Sequence, residues 1–228
     1  MPRVEIKGTI VANDDKWIYD WFGIEAVCPK DVQKVIDGAK GEALQVEVNS
    51  GGGDVFAGNE IYYLLNQYAG DVTADIVGFA ASAATIICCG ARRVRAVPGA
   101  LYMIHNVSGG AGGDHRALTH GAAVLKKADQ SVSNIYQQKT GLSEAELLAL
   151  MEKESWMEAK EAKEKGFIDE IIGESARLYN AAFANILAPE VIEKIRNTVP
   201  HQDPTDPDFF MRQNKLKLLK LKGDIKHA

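Results

Sequence analysis

Val72–Cys89 reads VTADIVGFAASAATIICC, and its two ends follow different rules. Val72–Val77 is rich in β-branched residues and reads as a strand. Ala83–Cys89 is apolar all round and reads as a short buried helix. Between them lie small residues and Ser82, the single serine of Gly78–Ala91. A strand feeding at once into a buried helix is the repeating step of an α/β fold.

The same alternation extends in both directions. Val4–Ile10 reads as a strand. Pro29–Ala39 reads as a helix opened by proline, with Val32, Val35 and Ile36 on one side. Leu44–Val48 is a strand that ends in a glycine-rich turn. Ala57–Tyr68 carries Ile61, Leu64 and Leu65 at helical spacing. Val94–Val97 and Leu101–Ile104 are short strands around a Pro98-Gly99 turn. Asp114–Lys139 is a long helix in which Leu118, Leu125 and Val132 recur every seventh residue, with Gly121, Ala128 and Ile135 between them. Its single apolar seam needs a cover, and both an oligomer partner and the chain's own sheet stay open. Thr140-Gly141 stops that helix. Ser143–Lys153 starts another on a Ser143/Glu146 capping box. Gly166–Ile172 reads as a turn and a final strand.

These elements make a core over residues 1–173, followed by an extension over 174–228. The extension reads as two amphipathic helices, Ala176–Leu187 and Pro189–Val199, then a linker, His201–Asp208. The tail, Phe209–Ala228, has six Lys or Arg against one Asp. Such a tail either contacts an acidic surface, the chain's own included, or lies solvated.

Composition narrows the function. With 228 residues and a net charge of −5, the chain is no evident nucleic-acid binder. No run of about 18 apolar residues indicates a membrane span. The N-terminus lacks the charged and apolar regions of a signal peptide, so a cytoplasmic protein is expected. Cys28, Cys88 and Cys89 lack metal-ligand spacing and read as reduced, small core residues.

A serine acts as a nucleophile only with a base to take its proton and donors to hold the oxyanion. Ala80, Ala81, Ala83 and Ala84 leave room beside Ser82, but small-residue packing would look the same. The Gly-x-Ser-x-Gly elbow of α/β-hydrolases is missing. Among five histidines, His201 and His227 lie in the extension, and His115 and His120 lie on or beside the long helix, where solvent would reach them. His105 instead ends the apolar run Leu-Tyr-Met-Ile and precedes a glycine-rich loop, Ser108–Gly113, a position suited to a site. Asn49–Asp54 follows a strand with three successive glycines whose N–H groups can approach a ligand closely. Neither the Gly-Lys-Ser/Thr of a phosphate loop nor Gly-x-Gly-x-x-Gly is present.

In this order the segments resemble the proteolytic subunit of the Clp protease family. The family's Asn-Ser-Pro-Gly-Gly loop is similar to Asn49-Ser50-Gly51-Gly52-Gly53, with Gly51 in place of the proline. Its nucleophile segment is similar to Gly78-Phe79-Ala80-Ala81-Ser82, and its Met-Ile-His segment to Met103-Ile104-His105. Its glycine-rich loop and long handle helix resemble Gly109–Lys139, and its acid-containing segment resembles Glu154–Asp169.

The resemblance, which runs from about Val4 to Ile172, implies an α/β crotonase-like spiral of ββα units with a long handle helix. It implies a serine endopeptidase with Ser82 as nucleophile and His105 as general base. Glu154 stands where the family usually has the aspartate of its triad, with Glu152 and Glu158 close in sequence. Gly53 and Ala83 match the residues whose N–H groups form the oxyanion hole. Neither cofactor nor metal is expected. The implied partners are polypeptide substrates and copies of the chain, in heptameric or stacked rings around a chamber. The family's N-terminal axial segment, which engages an unfoldase ATPase, is expected to be missing, so such a partner stays an open alternative. This feature and the extension resemble the Clp-type peptidases of phage and prophage head-assembly modules, which process capsid or scaffold proteins. Two other readings are a crotonase-type acyl-CoA enzyme and a catalytically idle shell or assembly protein.

Overall fold

The computed structural model describes residues 1–173. The helices, linker and basic tail expected beyond Gly173 lie outside the described residues. The chain opens with strand β1 (Arg3–Ile10), helix α1 (Lys16–Phe22) and the short β2 (Ala26–Val27). Three strand–helix steps follow: α2 (Pro29–Ala39) into β3 (Leu44–Gly53), α3 (Val55–Gln67) into β4 (Val72–Ala81), and α4 (Ala83–Cys89) into β5 (Arg93–Ala96). The described part closes with β6 (Leu101–Ile104), α5 (His115–Thr140), α6 (Glu144–Glu152), β7 (Ser155–Glu158), α7 (Ala159–Glu164) and β8 (Glu170–Ile171).

The sheet runs β2-β1-β3-β4-β5-β8 with every pair parallel, and β6 and β7 branch from it. Parallel strands are covered on both faces, and the core follows that rule. Val4, Ile6, Val46, Val48, Ala74, Ile76, Val94 and Ala96 are essentially without solvent contact. Each large aliphatic side chain so buried contributes about 1.5–3 kcal/mol. Helix α4 lies in the middle of this layer, with Ala83 through Cys88 all buried. Gly58 of α3 admits it closely, since a Cβ there would stand 3.1 Å from the Ala83 methyl.

Strand β4 divides its pairing. Thr73–Ile76 pair with β5, and Phe79–Ala81 pair with β6. The chain between the two partners turns at Pro98-Gly99, where Ala100 N–H donates to the Val97 carbonyl at 2.9 Å. The division peels β6 off the main sheet and pairs it antiparallel with β7. The C-terminal ends of β4 and β6 therefore lie side by side, which fixes what their next residues can do together.

Two expectations change. Asn49–Gly53 is strand rather than a turn: after a register shift, Gly52 and Gly53 pair with Thr9 and Ile10 of β1. Likewise β4 continues through Gly78–Ala81 up to Ser82. Glycine-rich and alanine-rich segments have little β propensity of their own, but flanking strands supply the hydrogen bonds that keep them extended. The seam of α5 splits. Val132 is buried in the core while Leu118 is 49% exposed, so the described residues cover only the C-terminal part. The three cysteines are free thiols, and burial pushes Cys89 up to about 12. No helix among the described residues is long and apolar enough to cross a membrane.

Candidate active site

Ser82 stands between β4 and α4 at φ 55° and ψ −125°. Only two other described residues besides glycines, Lys40 and Glu154, have positive φ. A side chain held there costs on the order of 1–3 kcal/mol. Hydrogen bonds at both ends of the residue hold it in place. Ser82 N–H donates to the Met103 carbonyl at 2.9 Å, and the Ser82 carbonyl accepts from Thr85 N–H at 2.9 Å and from the Thr85 hydroxyl at 2.5 Å.

The contact with Met103 has a second consequence. Met103 pairs with Ala81 in the β4–β6 ladder, and His105 follows two residues later. The fold thus brings His105 Nε2 to 2.8 Å from Ser82 Oγ. Both side chains are half-buried. That spacing lets the imidazole accept the serine proton. His115 and His120 are exposed on α5, and His201 and His227 lie outside the described residues.

The glycine strand passes directly over this pair. At Gly52 (φ 93°) an added Cβ would stand 2.8 Å from Ser82 Cβ and 2.9 Å from the Ala83 nitrogen. At Gly53 (φ 149°) it would collide with Ile10. Only glycine fits either position. Gly53 and Ala83 line the same cavity as Ser82 and His105, with a volume of about 310 Å³. Ser50, itself buried, braces the strand: its hydroxyl donates to the Gly8 carbonyl at 2.6 Å and accepts from Gly52 N–H at 3.1 Å.

Glu154 occupies a different relation. The antiparallel register of β6 and β7 pairs Ile104 with Ser155, which sets Glu154 opposite His105 one step further on. Its carboxylate, however, accepts from Trp156 Nε1 at 3.2 Å, and no hydrogen bond joins it to His105 among the described residues. Glu152 ends α6 and Glu158 ends β7, and both are exposed.

Helix α5, whose seam the sequence shows without its use, also builds the site. Val124, Leu125, Ala128, Val132 and Tyr136 form an apolar wall of the cavity. Asp129 Oδ1 accepts from Val107 N–H at 2.6 Å and so holds the loop that leaves His105. Tyr136 reaches Thr85 at 2.6 Å. Thr85 had a sequence signal, as the one hydroxyl in an otherwise apolar helix. Asp129 and Tyr136 had none, because their partners are 22 and 51 residues away.

A family model described as Clp protease matches residues 36–175. The ATP-dependent Clp protease proteolytic subunit of Bacteroides fragilis (strain ATCC 25285) is 34% identical over 134 residues, covering 58% of this chain and 65% of its own length. The chain therefore spans just under two thirds of that relative. The corresponding subunit of Streptococcus pneumoniae (strain Hungary19A-6) is 37% identical over 137 residues, covering 58% of this chain and 70% of its own length. Among solved structures, a ClpP1 mutant from Listeria monocytogenes matches with a TM-score of 0.62 at 22% identity, over 75% of this chain and 91% of that one. That likeness shows the fold.

Proposed function

This chain belongs to the Clp protease family, and on that premise we propose that it is a serine endopeptidase acting through Ser82 and His105. The observation that carries the reading is the 2.8 Å contact between Ser82 Oγ and His105 Nε2, made in the lining of a cavity beside a glycine strand. Ser82 Oγ attacks a peptide carbonyl while His105 takes its proton. The N–H groups of Gly53 and Ala83 hold the oxyanion. His105 then protonates the leaving amine, and water releases the acyl-enzyme by the reverse sequence. Glu154 is the acid that orients the imidazole, once its carboxylate turns from Trp156 to the other ring nitrogen. The register position opposite His105 supports this assignment.

The substrates are polypeptides. The α5 wall receives an apolar side chain next to the scissile bond. The working form is an oligomeric ring with an internal chamber. Residues 176–228 lie beyond the segment that matches the family, and this extension favours the processing of capsid or scaffold proteins.

The test is intact-mass analysis of the full chain after incubation with a fluorophosphonate. One adduct is expected on the wild type and none on Ser82→Ala or His105→Ala. An unlabelled wild type would overturn the proposal and favour an idle shell. An adduct retained on Ser82→Ala would assign the reactive residue elsewhere.

A further inference from the structure

The Ser82 carbonyl is bonded more elaborately than a helix start requires. Thr85 N–H alone would satisfy it, yet the Thr85 hydroxyl also donates to it at 2.5 Å. That hydroxyl has one proton, so at its 2.6 Å contact with Tyr136 the tyrosine must be the donor. A third hydroxyl, of Tyr102, donates to the Thr85 carbonyl at 3.2 Å. Thr85, Tyr102 and Tyr136 have essentially no solvent contact. The Tyr136 ring stands edge-on to Phe167 at 5.7 Å between centroids. Burial pushes the Tyr136 hydroxyl well above its ordinary value, so it remains a donor at any working pH. Hydrogen bonds in series between buried groups polarise one another.

We infer that Tyr136 and Thr85 are positioning residues, forming a relay from α5 that holds the Ser82 carbonyl and so keeps the nucleophile in line with His105. The inference rests on the reading of Ser82 as the nucleophile. The relay is needed because the Ser82 backbone is held in a conformation that a serine would otherwise leave. If the carbonyl is held less firmly, the residue turns about φ and ψ, and Oγ moves relative to an imidazole anchored on β6. Displacements of about 1 Å at a reacting atom are enough to cost on the order of a hundredfold in rate. Neither hydroxyl is bonded to Ser82 Oγ or to His105 among the described residues.

The test measures fluorophosphonate labelling of the full chain as a function of reagent concentration, separating the inactivation constant kinact from the reagent affinity KI. Thermal unfolding is followed in parallel. Tyr136→Phe, which removes one oxygen and keeps the ring, is expected to lower kinact about tenfold with KI unchanged. Thr85→Val is expected to lower it at least as much. Thr85→Ser, which keeps the hydroxyl, is expected to restore kinact to within about twofold of wild type. The double variant Thr85→Val/Tyr136→Phe should be no slower than Thr85→Val, because both act through one carbonyl.

The inference is overturned if Tyr136→Phe labels at the wild-type rate, if Thr85→Ser is as slow as Thr85→Val, or if the two losses add. Should Tyr136→Phe fail to fold, the Thr85→Ser and Thr85→Val pair decides alone. A wild type that forms no adduct overturns the nucleophile reading and this inference with it. A labelled wild type with unaffected variants overturns only the relay.

Discussion

Glu154 joins two conformational demands in one residue. Its φ of 49° follows from its place between the end of α6 and the start of β7, where its N–H donates to the Met151 carbonyl at 3.0 Å. That geometry brings the chain into register opposite His105. The side chain is bonded to Trp156 and exposed, so the carboxylate can exchange partners at small cost. If Glu154 orients the imidazole, Glu154→Gln keeps the shape and removes the charge that stabilises the imidazolium. A loss of kcat on the order of 10³–10⁴ is expected on a fluorogenic peptide. Glu152→Gln and Glu158→Gln should stay within about twofold. Equal losses at Glu152 or Glu158 would move the role to that residue. The meeting of Ser82 and His105 was expected from the family resemblance, since the small residues around Ser82 also suit plain packing. The place of Glu154 rests on the resemblance alone, since three glutamates stand within seven residues and their spacing does not rank them.

Among the elements, those with strong local signals were readable to the residue. Pro29–Ala39 opens on proline, Ala83–Cys89 is bounded by Ser82 and Gly90, and Leu101–Ile104 follows a Pro-Gly turn. Each has the bounds expected of it. The capping box at Ser143 also forms, with Glu146 accepting from Ser143 N–H at 3.0 Å. Of the elements that escaped, helix α1 did carry a signal: Trp17, Ile18, Trp21 and Phe22 stand at helical spacing, although none of its residues is buried. Strand β7 is four residues long, and its pairing with β6 is settled by tertiary contact rather than by pattern. The ends of β3 and β4 escaped because alanine and glycine do not announce a strand. Helix α5 was legible in extent but not in use: the seventh-residue seam becomes a cavity wall at its C-terminal end. That use has a measurable consequence. Ala128, half-buried in the wall, can take a larger side chain at the expense of the cavity. Ala128→Leu is expected to lower kcat/KM about tenfold for peptides with Phe or Leu before the scissile bond. Peptides with Ala there should change less than about threefold. A uniform loss for both would place the substrate side chain elsewhere.

At the scale of the whole molecule, the described residues leave part of α5 uncovered. Val132, Ser133 and Tyr136 anchor the C-terminal end of α5, while Leu118 and Val124 are about half exposed on the rest of it. A helix of 26 residues extends about 39 Å at 1.5 Å per residue. Much of that length is exposed within the described residues. Exposed apolar positions that continue a buried seam mark a surface suited to another chain, and on the proposed oligomeric reading the cover is α5 of a second copy. The full chain is therefore expected to sediment as an oligomer at micromolar concentration. The substitution Leu118→Glu should shift it to smaller species without lowering the unfolding temperature of the core. It places a charge against its symmetry mate, whereas Leu118 is 49% exposed within the described residues. If the wild type sediments as a monomer, or the variant keeps the wild-type size, α5 is not the element through which copies meet. Fluorophosphonate labelling of the dissociated variant then tells whether the Ser82–His105 contact survives in the single chain. Retained labelling would mean that Met103 and Thr85, both within one subunit, suffice to align the pair.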